Sequence, residues 1–397
     1  MIVLTLHKGK EQSLLRFHPW VFSGAIKHMS DTPCEGDIVE VRAFDGSFLG
    51  LGHYEIGSIA VRILSFTPCD INDAFWTSRI SEAYKLRQTL NLERDDNDTF
   101  RLIHGEGDSL PGLIVDIYRN SAVVQAHSVG MHYARNAIAN ALMQIIPSLR
   151  SVYYKSSSTL PHKAKITDNR DDGYLIGHAD ASVEPLATEN GLQFHIDWLR
   201  GQKTGFFVDQ RDNRSLVQHY SKDKTVLNTF CYTGGFSCYA LRGGASLVHS
   251  VDSSAKAIEL TDKNVALNFA DTSRHRSFAV DAFDYLQSDE VNNRYDLIIL
   301  DPPAFAKHRD AIPKALQGYK RLNAIALRKI RPGGILFTFS CSQAINKEHF
   351  RLAVFSAASI ARRKVRILHF LSQPADHPIN IYHPEGEYLK GLVLYVE

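Results

Sequence analysis

The chain has 397 residues, 44% hydrophobic and 22% charged, which suits two or three globular domains and excludes a disordered or collagen-like chain. No apolar run approaches the ~20 residues that cross a bilayer, and the run from Met1 reaches His7-Lys8 too soon for a secretory signal, so a cytoplasmic protein is expected. The formal net charge of +2 hides an asymmetry: residues 1–72 carry −2, residues 73–190 carry −3 and residues 191–397 carry +7, which directs any anionic partner to the C-terminal half.

Residues 1–68 read as a small β-rich unit. Ile38–Arg42 alternates, Asp45-Gly46 is a tight-turn dipeptide, and 48–52 and 59–64 follow as strands, a spacing that suits a small barrel. Over 73–90 the apolar spacing turns helical, with Phe75, Ile80, Ala83, Leu86 and Leu90 near one face behind the cap candidates Asn72 and Asp73. Strands at 112–118 and 121–127, a helix over 131–146 ended by Pro147, and a strand near 151–155 make 73–190 a compact α+β domain. Ser156-Ser157-Ser158 with Lys163 and Lys165 marks a loop.

Over 191–397 strands and helices alternate. Strands are predicted at 226–230, 247–251, 277–280, 297–300, 335–339, 365–370 and 389–396, with helices such as 254–268 and 311–330 between them. That rhythm predicts a parallel, doubly wound α/β sheet. The stretch between the last two strands is polar and too poor for a crossover helix, so the final strand is expected to run antiparallel.

Five segments carry chemistry. In Asn228-Thr229-Phe230-Cys231-Tyr232-Thr233-Gly234-Gly235-Phe236 a buried strand meets a glycine turn and a helix from Ser237, which opens backbone N–H groups to a ligand. The turn lacks the G-x-G-x-x-G spacing of dinucleotide enzymes. Asp252 ends the next strand, where a carboxylate accepts hydrogen bonds from a ribose diol or simply caps the following helix. Asp281-Ala282 ends the third strand, with adenine contact and helix capping as equal readings. Asp301-Pro302-Pro303 places a carboxylate at the carboxyl edge of an apolar strand, and the twin prolines preclude a direct helix. Finally Pro332-Gly333-Gly334 launches a strand that delivers Cys341 beside the Asp301 segment. The other cysteines (Cys34, Cys69, Cys231 and Cys238) are by default buried small hydrophobes; no C-x-x-C pair is present, and neither a metal site nor a disulfide framework is expected.

Together these segments resemble the class I S-adenosylmethionine-dependent methyltransferases, and more closely the ribosomal large-subunit RNA cytosine-5 methyltransferases with an N-terminal PUA domain. His18-Pro19-Trp20-Val21-Phe22-Ser23-Gly24 is similar to the PUA opening, and Thr204 to Arg214, with Gln210-Arg211, is similar to the signature ahead of the cofactor site. The resemblance implies three domains: a PUA-like β-barrel at 1–72, the central domain at 73–190, and a Rossmann-like methyltransferase domain at 191–397. It implies S-adenosyl-L-methionine contacts from Gln210, Arg211, Asn228, Phe230, Tyr232, Thr233, Gly234, Asp252, Asp281, Ala282 and Asp301. It also implies 23S ribosomal RNA as partner, no membrane and no metal; a homodimer is a further expectation.

Pyrimidine C5 has no in-plane lone pair, so a nucleophile must first add at C6. A thiolate suits this, being strongly nucleophilic and able to leave again, and Cys341 is the candidate, with Asp301 poised to serve the ring's N3. Cys231, in the turn, is expected to pack. Candidate RNA contacts are Lys314, Lys320, Arg321, Arg328, Lys329, Arg331 and Arg362-Arg363-Lys364, with Phe206, Phe207 and Phe305 as stacking candidates. The alternatives are methylation at a ring nitrogen or exocyclic amine, which needs no thiol, and an RNA-binding protein with a vestigial cofactor pocket.

Overall fold

A computed structural model describes residues 1–161, 166, 171–178, 185–306 and 308–397; Lys163 and Lys165 lie outside the described residues. The chain forms two compact units, one of 1–188, 196–208 and 375–386, the other of 189–195, 209–374 and 387–397.

The first unit holds two sheets, each over its own core. One is a curled, six-stranded PUA-like sheet of Ile2–Leu6, Trp20–Phe22, Ile26–Met29, Ile38–Arg42, Phe48–Tyr54 and Ile59–Ser65, closed over Leu4, Leu6, Val39, Val41, Val61 and Ile63. The other has five strands, Thr99–His104, Leu113–Tyr118, Ser121–Ala126, Ser151–Tyr154 and Gly173–Ile176, covered by the helices Asp73–Thr89 and Arg135–Ile145. Asn72 caps the first of these helices by accepting from the Phe75 N–H. Its buried face is Trp76, Ile80, Ala83 and Arg87, while the predicted face member Leu86 is exposed. The face turns because Arg87 is buried as an ion pair with Asp108 and also donates to the Asp376 carbonyl at 2.7 Å. Asp376 in turn accepts from the Arg101 N–H at 3.0 Å, so the segment 375–386 is clamped to this unit.

The second unit is a seven-stranded sheet, its strands labelled here in chain order: β1 (Thr225–Thr229), β2 (Leu247–Asp252), β3 (His275–Ala279), β4 (Leu297–Leu300), β5 (Gly334–Ser340), β6 (Val365–Ser372) and β7 (Lys390–Val396). The spatial order is β3-β2-β1-β4-β5-β7-β6, with β1 to β5 mutually parallel and β7 antiparallel to both neighbours, as the polar connection before it implies. The strands are near-continuous apolar runs because helices cover both faces; β4, Leu-Ile-Ile-Leu, is wholly buried, and its Ile298 and Leu300 share a core with Tyr319, Leu322 and Leu327 of the helix Ile312–Lys329. Among the described residues no helix is long and apolar enough to cross a membrane.

Candidate active site

Strand order reverses between β1 and β4, and open α/β sheets bind ligands at the carboxyl edge of such a switch point. The registers bring the candidate segments to that one edge: Thr229 lies opposite Val251 and Leu300, Asp252 opposite Ala279, and Leu300 opposite Thr338. The chain therefore leaves β1 at Phe230, β2 at Asp252, β4 at Asp301 and β5 at Cys341, all on one rim.

The turn after β1 is tightly coiled. Phe230 (φ 56°), Tyr232 (φ 47°) and Gly234 (φ 76°) all adopt left-handed conformations, which cost bulky side chains energy and persist only where surroundings enforce them. The enforcement comes from the helix Ala255–Asn268 and from Asp252. Thr261 donates to the Tyr232 carbonyl at 2.9 Å, Asn264 to the Thr233 carbonyl at 2.8 Å, and the Tyr232 N–H donates to Asp252 at 3.0 Å. The helix begins at Gly235, two residues earlier than predicted, because Gly234 itself takes the cap position. Asp252 also accepts from the Ser254 N–H at 2.9 Å, while Ser254 rather than Asp252 caps the helix. The Asp252 carboxylate thus ties the turn to the next helix and keeps lone pairs for a hydroxyl ligand.

The Gln210–Arg214 signature props this rim. Gln210 donates to Asp301 at 3.1 Å and accepts from Asn213 at 2.6 Å, which fixes the direction of its amide. Buried Arg214 makes a two-point ion pair with Glu189, at 2.8 and 2.6 Å, and lies under Gly235, where an added Cβ would sit 3.1 Å from its Cδ. Arg211 is also buried, on the first turn of the helix Arg211–Tyr220.

Asp301 and Cys341 are brought together by paired strand ends and a shared tether. Ser342 accepts from the Ala306 N–H at 3.3 Å and meets the Tyr319 hydroxyl at 3.0 Å, and Ser340 donates to that same hydroxyl at 3.0 Å. Phe305 packs on Tyr319 at a tilt of 34°, with centroids 4.6 Å apart. The loop after the twin prolines and the loop carrying Cys341 are therefore knitted into one surface. Cys341 is half-buried; Cys231 and Cys238 are buried and desolvation raises both thiols, Cys238 to about 12. Cys34 and Cys69 are exposed, against the buried default, because both lie on surface loops outside the strands.

Several candidates are engaged within the protein. Asn228 is fully buried and donates to Ser237 at 2.9 Å, in a chain continued by Ser250 and His275; its Oδ1 has no partner. Asp281 is exposed and caps Ala282–Gln287 by accepting from Phe283 and Asp284, and Ala282 is buried beneath it. Phe206 is buried in the first unit's core and Phe305 packs on Tyr319, so neither ring is free to stack a base. Lys329, Arg331 and Arg363 hold main-chain carbonyls, as does the exposed Arg328, whereas Lys314, Arg321 and Lys364 are exposed. Lys390, Tyr319, Thr261 and Asn264 were not legible as site residues; the one signal was a lysine opening the apolar run Gly391–Val396. Among the described residues no cluster of His, Cys, Asp or Glu could hold a metal ion.

Residues 170–381 match a family described as S-adenosylmethionine-dependent methyltransferase, and residues 4–66 match a PUA-like domain. The chain is 39% identical over 397 residues to the ribosomal RNA large subunit methyltransferase I of Aeromonas salmonicida, covering 99% of each. It is 38% identical over 396 residues to the protein of the same name from Escherichia coli O6:K15:H31, again covering 99% of each. Two solved structures share the fold over the full length of both chains: a candidate SAM-dependent methyltransferase from Streptococcus mutans (TM-score 0.84, 22% identity) and a candidate methyltransferase complexed with SAH (TM-score 0.86, 23% identity).

Proposed function

Because this chain belongs to the ribosomal RNA large subunit methyltransferase I family of S-adenosylmethionine-dependent enzymes, we propose that it methylates C5 of a cytosine in 23S ribosomal RNA, in the cytoplasm, through a covalent adduct on Cys341. What carries the reading is the half-buried thiol at the end of β5, beside the strand that ends in Asp301, on loops joined through Ser342 and Tyr319. In this reading residues 1–72 grip RNA, 73–190 form a central domain and 191–397 do the chemistry.

The rim fits the cofactor. The left-handed turn at 230–234 and the Asp252 carboxylate offer a close backbone and a diol acceptor, and Asp281, exposed just past β3, would lie toward the adenine end. Gln210 and Asp301, hydrogen-bonded to each other, would border the opposite, reactive end. Bound S-adenosylmethionine supplies an electrophilic methyl group on a sulfonium. The chain's own part is to make C5 able to take it up.

Cys341, as thiolate, adds its electron pair to C6, and the ring electrons move toward C5 and N3. Asp301 in its protonated form, held by Gln210, donates a proton or hydrogen bond to N3 as negative charge builds there. Once C5 is substituted, its proton leaves to water or to the Asp301 carboxylate, the C5–C6 double bond reforms as the thiolate departs, and N3 releases the proton it had gained to Asp301 or to solvent. The segment Asp301–Phe305 contains no second cysteine to take that proton.

Nucleoside analysis of ribosomal RNA methylated by the full-length protein is the test. The wild type should yield 5-methylcytidine, and Cys341→Ala none, while still binding S-adenosylmethionine within about twofold. Turnover by Cys341→Ala, or a methylated purine, overturns the proposal.

A further inference from the structure

Lys390 opens β7 opposite Ser340, the last residue of β5, and is buried, 3% exposed. A lysine in such a place is costly unless its charge has a use. Its ammonium donates to the Ser342 carbonyl at 2.6 Å and to the Ile345 carbonyl, so it lies beneath the loop that carries Cys341. Among the described residues no carboxylate is hydrogen-bonded to it. Glu387 sits three residues before it in the chain and is itself engaged with Lys347. The groups that act on the ammonium are the Cys341 sulfur and Glu387, which favour its charge, and Lys347, which opposes it. From the helix Ile312–Lys329, Tyr319 faces the same sulfur, and burial raises its phenol, so that group stays neutral.

We propose that Lys390 is the positioning residue that holds the Cys341 loop and supplies the positive charge that keeps the thiol ionised. This deepens the reading of Cys341 as nucleophile and rests on it. The ammonium keeps its protons throughout: the thiol's proton goes to solvent, and the thiolate–ammonium attraction stabilises what remains. Two carbonyls, one thiolate and the more distant Glu387 carboxylate together account for the buried cation. Desolvation lowers Lys390 to about 8, so the charge is present at neutral pH and fades above it. The thiolate should be best supported on the acid side of that point.

The experiment is the pH profile of Cys341 alkylation by iodoacetamide, in full-length protein with the exposed Cys34 and Cys69 changed to Ser, read by peptide mass spectrometry. Lys390→Gln keeps an amide able to donate to the carbonyls and removes the charge; Lys390→Arg keeps the charge. Lys390→Gln should raise the midpoint of the alkylation profile by about one pH unit, equivalent to about tenfold less thiolate at neutral pH. It should also lower kcat by about tenfold, with KM for RNA nearly unchanged, and Lys390→Arg should restore most of both. An unchanged alkylation profile in Lys390→Gln overturns the proposal even if methylation depends on Cys341. If either variant misfolds, the other still reads the profile against wild type. Methylation by Cys341→Ala would instead remove the underlying reading, and the two failures are distinct.

Discussion

Replacing Gly234 by Ala perturbs the turn that the site is built on, and the structure sets the scale. Gly234 has φ 76°, and an ideal Cβ there would stand 2.6 Å from Thr261 Cγ2 and 3.1 Å from its Cβ and Oγ1. The left-handed backbone costs an L-residue about 1–2 kcal/mol, and crowding a packed site adds about 1–3 kcal/mol. The second term can be relieved selectively. Thr261→Ser removes the methyl group at 2.6 Å and keeps the hydroxyl that donates to the Tyr232 carbonyl; alone it should cost about 0.5–1.5 kcal/mol, as other single buried methyl deletions do. In the double variant the steric part should vanish, a coupling of about 1–2 kcal/mol, and leave the backbone part. Urea unfolding midpoints of the four proteins give the cycle, and calorimetric titration with S-adenosylmethionine should show at least about tenfold weaker binding for Gly234→Ala, partly recovered in the double variant. An unchanged midpoint for Gly234→Ala, or full additivity with Thr261→Ser, would refute the reasoning.

Other expectations follow from buried groups. Arg214→Met strands the Glu189 carboxylate, which is 0% exposed, and should cost about 3–5 kcal/mol in thermal or urea unfolding, largely recovered when Glu189→Leu is added; no recovery would contradict the ion-pair account. Burial against Gly130 and Trp76 lowers His53 from 6.5 to about 4. The folded form thus binds its proton less readily than the unfolded one. Its contribution is complete above pH 6.5 and lost as pH falls toward 4, up to about 3 kcal/mol, and urea midpoints against pH should flatten there in His53→Gln. Asp281→Ala removes a cap and should cost about 1 kcal/mol, whereas Asp281→Asn should keep stability, so any loss of cofactor affinity in the Asn variant reports ligand contact rather than helix capping.

The parts of the fold that were legible are those with strong local pattern. Leu297–Leu300 was found to the residue, and the antiparallel β7 followed from the polar stretch before it, because long apolar runs and punctuation are local properties. Trp20–Phe22 and Ile26–Met29 have three and four residues, too few to show a period, and Thr99–His104 went unread because Arg101 and His104 interrupt its apolar run. Arg101 is there for Asp116, 15 positions away, at 2.8 Å. The same limit hid the site's supports. Asp301 and Cys341 announce themselves at strand ends, but Lys390 matters only through a register with Ser340 fifty positions earlier. Asn228 looked like a ligand contact because it sits in the turn segment; its strand position turns it inward to Ser237 instead.

The central claim is a bond between one sulfur and one pyrimidine carbon, and it can be weighed. Ribosomal RNA transcribed with 5-fluorocytidine blocks loss of the C5 substituent, so turnover stops at the adduct. With S-adenosylmethionine present, the full-length protein should form an RNA complex that survives denaturing electrophoresis, and the nuclease-trimmed peptide bearing the added mass should contain Cys341. A stable complex mapped to another residue, or methylation of such RNA with no complex formed, would contradict the account.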